Sequence, residues 1–128
     1  MSRFIQSALA AVLIAAPCAL GENLFVSHYA GKVFTLTYEP SSTGKGNGTL
    51  SIDSSVTGCG NMPSWLTLDR ASQNLYCFDE SSNSGVVSSF GINGTALELN
   101  GQAKTPGGEV HGWLYGGSNG ESYLSTAD

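Results

Sequence analysis

The sequence predicts an all-β fold of β-propeller type, with about two four-stranded antiparallel blades in this chain. Three observations carry that expectation. Gly, Ser, Thr and Asn supply 52 of the 128 residues while Lys, Arg, Asp and Glu supply 15, which is the composition of turns and strands, not of a charged helical bundle. Apolar residues alternate with period two, as in Phe34, Leu36 and Tyr38 set against Thr35 and Thr37, and no helical period competes with it. The chain also repeats itself at a spacing of roughly 50 residues, the length of one blade.

The first eighteen residues are set aside before the strands are counted. Arg3 precedes an apolar run from Ala8 to Ala16 that ends at Pro17 and Cys18. Nine apolar residues are too few to span a bilayer and suit a secretory leader, with Ala16 and Cys18 as the small residues before a cleavage at Ala19. Residues 1–18 are thus expected to be a signal peptide, residues 19–128 the propeller domain, and the protein is expected outside the cell or in the cell wall. The exported chain keeps Lys32, Lys45, Arg70 and Lys104 against ten acidic residues. Such an acidic chain, with no basic run, excludes a nucleic-acid binder and an anionic-membrane binder.

Each element follows from the repeat. Leu24-Phe25-Val26-Ser27-His28-Tyr29 lies over Leu75-Tyr76-Cys77-Phe78-Asp79-Glu80, and that over Leu124-Ser125-Thr126-Ala127-Asp128, at offsets of 51 and 49. Next come the strands led by Gly31 and Gly85, then an Asn-Gly-Thr turn, then Leu50-Ser51-Ile52-Asp53 or Leu97-Glu98-Leu99-Asn100. Gly-rich passages, Gly58-Cys59-Gly60-Asn61 and Gly107-Gly108-Glu109, lead into Pro63-Ser64-Trp65-Leu66 and Val110-His111-Gly112-Trp113-Leu114, whose tryptophans stand 48 apart. A β-sandwich would account for the composition but not for this repeated order. Closing a propeller ring takes at least about four blades, so the sequence implies a chain that stops inside a blade at Asp128, or one that associates to cover its open blade edges.

Export leaves Cys59 and Cys77 as an even pair in an oxidising compartment, so a disulfide is expected, with two buried free thiols as the other reading. A hairpin turning between Asp69 and Asn74 sets Cys77 opposite Leu66, so the bond requires the Gly58-Cys59-Gly60 loop to fold back over the strand. Asn47 and Asn93 head N-x-Thr sequons on expected loop tips and are candidate glycosylation sites.

Pro63-Ser64-Trp65-Leu66, Leu75-Tyr76-Cys77-Phe78-Asp79-Glu80 and Gly107-Gly108-Glu109-Val110-His111 together resemble the N-terminal third of the lactonase family of seven-bladed propellers. That family includes bacterial-type 6-phosphogluconolactonases and fungal carboxy-cis,cis-muconate cyclases, and the Gly58-Cys59-Gly60 and Leu75-Tyr76-Cys77 pieces look most like its secreted fungal members. The resemblance covers residues 23 to 128 and departs from the family in two ways. Glu109 separates the double glycine from Val110-His111, and about five blades are absent. It implies a lactone hydrolase or a muconate lactonising isomerase acting on a lactone or carboxylate, and a chain that is inactive alone because most blades are missing.

In a propeller the end of each second strand and the start of each first strand meet at one mouth of the central channel. That places Asn61, Pro63, Gly107, Gly108, His111, His28, Tyr29, Asp79 and Glu80 at one face. His111 stands where the resembled family keeps a histidine, and an imidazole exchanges a proton near neutral pH. Glu80 is its candidate partner carboxylate, and Asn61, Gly108 and Asp79 are candidate substrate-binding residues. Lactone and muconate chemistry needs Arg or Lys for the anionic substrate, and of the four basic residues only Lys104 is expected to lean toward this face. The alternative function is a non-catalytic secreted propeller that binds a carbohydrate or protein partner. Gly116-Gly117-Ser118-Asn119-Gly120 matches G-x-S-x-G but reads as a hairpin turn, not a nucleophile elbow. No pair of His or Cys stands at zinc-ligand spacing, so no metal and no organic cofactor is expected.

Overall fold

The computed structural model describes residues 22–42, 44–116 and 121–127. The expected leader, Ser118 and Asp128 lie outside the described residues. Nine strands run in chain order: β1 (Glu22–His28), β2 (Lys32–Glu39), β3 (Thr49–Thr57), β4 (Pro63–Asp69), β5 (Asn74–Asp79), β6 (Gly85–Asn93), β7 (Ala96–Thr105), β8 (His111–Gly116) and β9 (Ser122–Ala127). They form three antiparallel sheets in the orders β1-β2-β3, β4-β5-β6-β7 and β8-β9.

The repeat is visible in the topology. β5, the second strand of the four-stranded sheet, is the copy of β1 and β9, while β4 and β8 are the first strands that carry Trp65 and Trp113. The middle sheet is a whole blade. The sheet before it holds the second, third and fourth strands, and the sheet after it holds the first and second. The expected four strands per blade are therefore met once among the described residues.

Hairpins set the register. Leu66 pairs with Cys77 and Asp69 with Asn74 across the β4–β5 turn, where the Asp69 carboxylate accepts from the amides of Ala71 and Ser72 and from the Ser72 hydroxyl. Such an Asx-type turn is a local property of Asp-x-x-Ser. At the β6–β7 hairpin, Asn93 pairs with Ala96 and Gly94 takes the positive φ of 62° that side-chain-bearing residues avoid. The tip is also an inter-blade clasp, because Asn23 Nδ2 donates to Gly94 O and Ser54 Oγ to Thr95 O.

The core lies between the first two blades. Val33, Cys59, Leu75, Cys77, Phe90 and Leu97 are buried together, with Phe25, Val56, Leu66, Leu68 and Ile92 packed around them. Alternation explains the choice, since Phe25, Val33 and Val56 occupy the face of blade 1 that meets blade 2 while Leu24, Val26 and Leu36 take the other. Cys59 and Cys77 are disulfide-bonded with Cα atoms 5.7 Å apart. Gly58 and Gly60, at φ of 122° and 70°, let the loop fold back as the bond requires. A Cβ on Gly60 would fall 2.1 Å from the Asp79 carboxylate. Ser88 Oγ and Gln102 Nε2 both donate to Gly58 O, at 2.6 and 2.7 Å. At the other boundary Gly112 lies against Phe78, where a Cβ would meet the ring at 1.9 Å, so β8 approaches blade 2 as closely as it does only because residue 112 lacks a side chain.

Candidate functional site

β1 and β5 end, and β4 and β8 begin, at one end of the sheets, and there the expected residues gather. A hollow of about 360 Å³ opens between the first two blades, lined by Ser27, His28, Tyr29, Pro63 and Ser64. On its rim Tyr29 Oη donates to Glu80 Oε1 at 2.6 Å, across the blade boundary. That bond, and the charge of the carboxylate behind it, push the Tyr29 phenol above its ordinary value, because ionising it would set two anions side by side. Tyr29 therefore stays a donor and fixes one oxygen of Glu80. The Glu80 backbone is pinned as well, its N–H donating to Met62 O at 3.0 Å.

His111 opens β8 and is half-buried. Its ring packs on that of Trp65, with centroids 4.5 Å apart and planes tilted by 46°. Trp65 Nε1 in turn donates to Thr67 Oγ1 and Gly112 O, so the platform under the imidazole is itself fixed. Among the described residues no hydrogen bond or ion pair joins His111 to Glu80. The two groups stand at the same end, one tied to Tyr29 and the other to Trp65.

Asp79 is buried, and its carboxylate is turned into the loop. It accepts from the Met62 amide at 2.8 Å and from the Ser81 amide and hydroxyl at 3.2 and 2.7 Å. Burial pushes this carboxyl up, but the Ser81 hydroxyl and the amides of Met62, Ser81 and Asn61 outweigh it and hold the pKa below the usual carboxylate value. Asp79 thus shapes the loop that carries Asn61 and Pro63. Asn61 is exposed. Gly108, at φ of 84°, commits its amide to Ser81 O at 3.2 Å, so it too shapes a loop. Lys32 is the strand partner of His28, and Lys104 lies near the same end on the outermost strand of its blade. Arg70 sits in the turn at the opposite end.

The contacts of three residues at this end are not part of the sequence reading. Tyr29 occupies the repeat position of Glu80, 51 residues on, and the alignment that superposed them carried the signal that they could meet. Trp65, at the repeat position of Trp113, reaches the next blade at Gly112 O and also carries the His111 ring. Glu109, the residue that departs from the resembled motif, is buried at 2% exposure. Its Oε1 accepts from the Gly107 amide at 3.2 Å and its main-chain oxygen from Ser64 Oγ at 3.2 Å, while Oε2 is buried without a partner. Nothing in the sequence separates such a carboxylate from an exposed loop glutamate. Among the described residues no three of His, Cys, Asp and Glu are grouped to hold a metal ion.

A family model described as Lactonase, 7-bladed beta-propeller matches residues 23–128. No curated protein and no solved structure matched the chain. The match takes in all three sheets, the loops that carry Tyr29 and Glu80 and the strand that His111 opens, and the chain belongs to the lactonase family of seven-bladed β-propellers.

Proposed function

We propose that this chain is a fragment of a secreted lactonase-family propeller whose parent activity is the opening or closing of a lactone ring by acid/base catalysis, of the 6-phosphogluconolactonase or carboxy-cis,cis-muconate cyclase type. His111 transfers the proton, and Glu80 is the carboxylate at the same mouth. The observation that carries the reading is that His28, Tyr29, Glu80 and His111 stand at one end of the sheets, with His28 and Tyr29 lining a hollow there.

In the hydrolytic direction the neutral imidazole of His111 takes a proton from water as the water oxygen bonds to the lactone carbonyl carbon. The ring carbon–oxygen bond then breaks, and the leaving oxygen takes that proton from the imidazolium. Glu80, held at Oε1 by Tyr29, has Oε2 left to accept from a substrate hydroxyl or from the attacking water. Asn61 offers an exposed amide to the substrate, while Asp79 and Gly108 hold the loops on either side. An anionic substrate needs a cation, and Lys32 is the strand partner of His28, which lines the hollow. Export through residues 1–18 and N-glycans at Asn47 and Asn93 belong to the same reading. Both asparagines are exposed, one in the β2–β3 turn and one at the β6–β7 hairpin.

The test is turnover of γ- and δ-lactones, followed by proton release, in the chain extended to a full ring of blades. His111→Gln should lower it by at least about a hundredfold, with Ser118→Ala unchanged. Equal behaviour of the two variants, or no turnover by the unaltered full ring, favours the non-catalytic propeller that binds carbohydrate or protein.

A further inference from the structure

Two histidines stand at the mouth, and the chain holds them in opposite ways. His28 is held through a nitrogen: its Nδ1 accepts from the Ala30 amide at 3.0 Å, while the ring meets Phe34 edge-on. His111 is held by a face. Its ring lies on the indole of Trp65 with centroids 4.5 Å apart, and among the described residues neither of its nitrogens has a hydrogen-bond partner. Pro63 occupies the same place in the repeat, 48 residues earlier, so of the two described first strands only β8 opens on a ring that can carry a proton.

An imidazole that transfers protons is ordinarily aligned through one nitrogen, by a carboxylate or a main-chain carbonyl, which leaves the other nitrogen for the reaction. At β8 the alignment comes from the side. Trp65 is itself immobilised, because its Nε1 donates to Thr67 Oγ1 at 3.1 Å and to Gly112 O at 3.2 Å, and Thr67 Oγ1 donates to the same carbonyl at 2.8 Å. Gly112 follows His111 in the chain and lies against the Phe78 ring. One tryptophan thus fixes the main chain beside His111 through its N–H and the His111 side chain through its ring. An indole face also attracts a cation within about 6 Å, so the contact strengthens when the imidazole takes a proton.

We propose that Trp65 is the positioning residue for His111, its indole face taking the place of an orienting carboxylate and leaving both imidazole nitrogens open to water and substrate. The inference rests on the reading of His111 as the proton-transferring residue. It explains why Glu80 and His111 share a mouth without being bonded to one another. Glu80 is not needed to orient the imidazole, so its Oε1 is tied to Tyr29 instead and its Oε2 serves the substrate or the attacking water. The proton carrier then belongs to blade 3 and its support to blade 2, so the docking of Thr67 and Trp65 on Gly112 O is part of the catalytic geometry and not packing alone.

The chain has two tryptophans and two histidines, so the contact is readable optically in the chain as it stands. In a Trp113→Phe background Trp65 is the one indole emitter, and a protonated imidazole touching an indole quenches it. Emission should fall reversibly as pH is lowered from about 9 to about 5, equally in His28→Gln, and the fall should be lost in His111→Gln. In the chain extended to a full propeller, Trp65→Leu should lower kcat by about tenfold to a hundredfold with KM little changed. Trp65→Phe, which keeps a ring face but not the N–H, should recover part of that loss. Near-UV circular dichroism checks folding, and if Trp65→Leu does not fold, Thr67→Val, which unpins the indole without removing it, takes its place with a smaller drop in kcat. A folded chain without quenching, quenching that persists in His111→Gln, or a folded Trp65→Leu propeller that matches the parent's kcat would each overturn the proposal. A full propeller without turnover would overturn the reading on which the proposal rests, and the quenching, which needs no substrate, tells that failure apart from a failure of the contact.

Discussion

Blade 1 and blade 2 carry the same pattern at the same spacing and live in different surroundings. Leu75 and Phe90 are sealed beneath blade 1, whereas Leu24, at the repeat position of Leu75, meets water. The residues are as apolar in one as in the other, so burial in this fold comes from the neighbouring blade and not from the strand itself. At the mouth the relation is reversed. There the repeat positions differ in chemistry, His28 against Asp79 and Tyr29 against Glu80, while their backbone placement is shared. Sheet positions kept their type because every blade must pack on the next; mouth positions were free to differ because their partners are loops and solvent.

The largest expected effect separates the two blades directly. Leu75→Ala removes a side chain from the centre of the core and should cost about 2–5 kcal/mol. Leu24→Ala, at low protein concentration, should stay within about 0.5 kcal/mol of the parent. Urea unfolding with an unchanged slope measures both. Equal costs would mean that blade 1 is covered in solution even when the chain is dilute.

A middle-sized effect sharpens the contrast between Asp79 and His28. Asp79→Asn leaves the loop amides of Met62, Ser81 and Asn61 facing a weaker acceptor, a loss of about 1–3 kcal/mol near neutral pH. The sign of the pH dependence follows from the lowered pKa of Asp79. In the unfolded chain the carboxyl titrates near about 3.9, and folding holds it lower, so its stabilisation is complete above that pH. It is lost as pH falls through the folded value. The Asn variant should therefore show a shallower acid loss, though not a flat one, because Asp69 is also held low by Ser72 in the turn at the far end. Melting temperatures of the two proteins between about pH 2 and 6 should converge at the acid end; parallel curves would break the assignment.

Much of this fold was legible because period-two alternation and a repeat near fifty residues are local and additive signals. The pairing of Leu66 with Cys77, and the need for the Cys59 loop to fold back, followed from counting across one hairpin. What stayed illegible depends on neighbours. That Trp65 carries His111, that Glu109 is buried with one oxygen unpartnered, and that the Asp79 carboxylate turns inward are consequences of which loop lies over which strand. Residue types do not encode that. Lys32 reads as a middle-strand residue in sequence, and only the β1–β2 register brings it beside His28.

The smallest effect tests the clasp between the blades at the mouth. Tyr29 is exposed, and its hydroxyl gives Glu80 a hydrogen bond that water can replace, so Tyr29→Phe should leave stability almost unchanged. The titration of the phenol is the sensitive readout. Glu80, through the hydrogen bond first and its charge second, raises the Tyr29 pKa above the ordinary 10.0, so whatever this pair adds to stability is present below that ordinary value. It is lost as pH rises through the folded one. With ¹³C-labelled tyrosine, the resonance that disappears in Tyr29→Phe should titrate last among the exposed tyrosines in the parent, and Glu80→Gln should bring it back toward the ordinary range. If it titrates normally in the parent, the bond does not persist in solution and Glu80 is free to turn toward His111. The two groups would then act as a pair, not from separate supports, and the acid limb of lactone turnover should be unchanged in Tyr29→Phe.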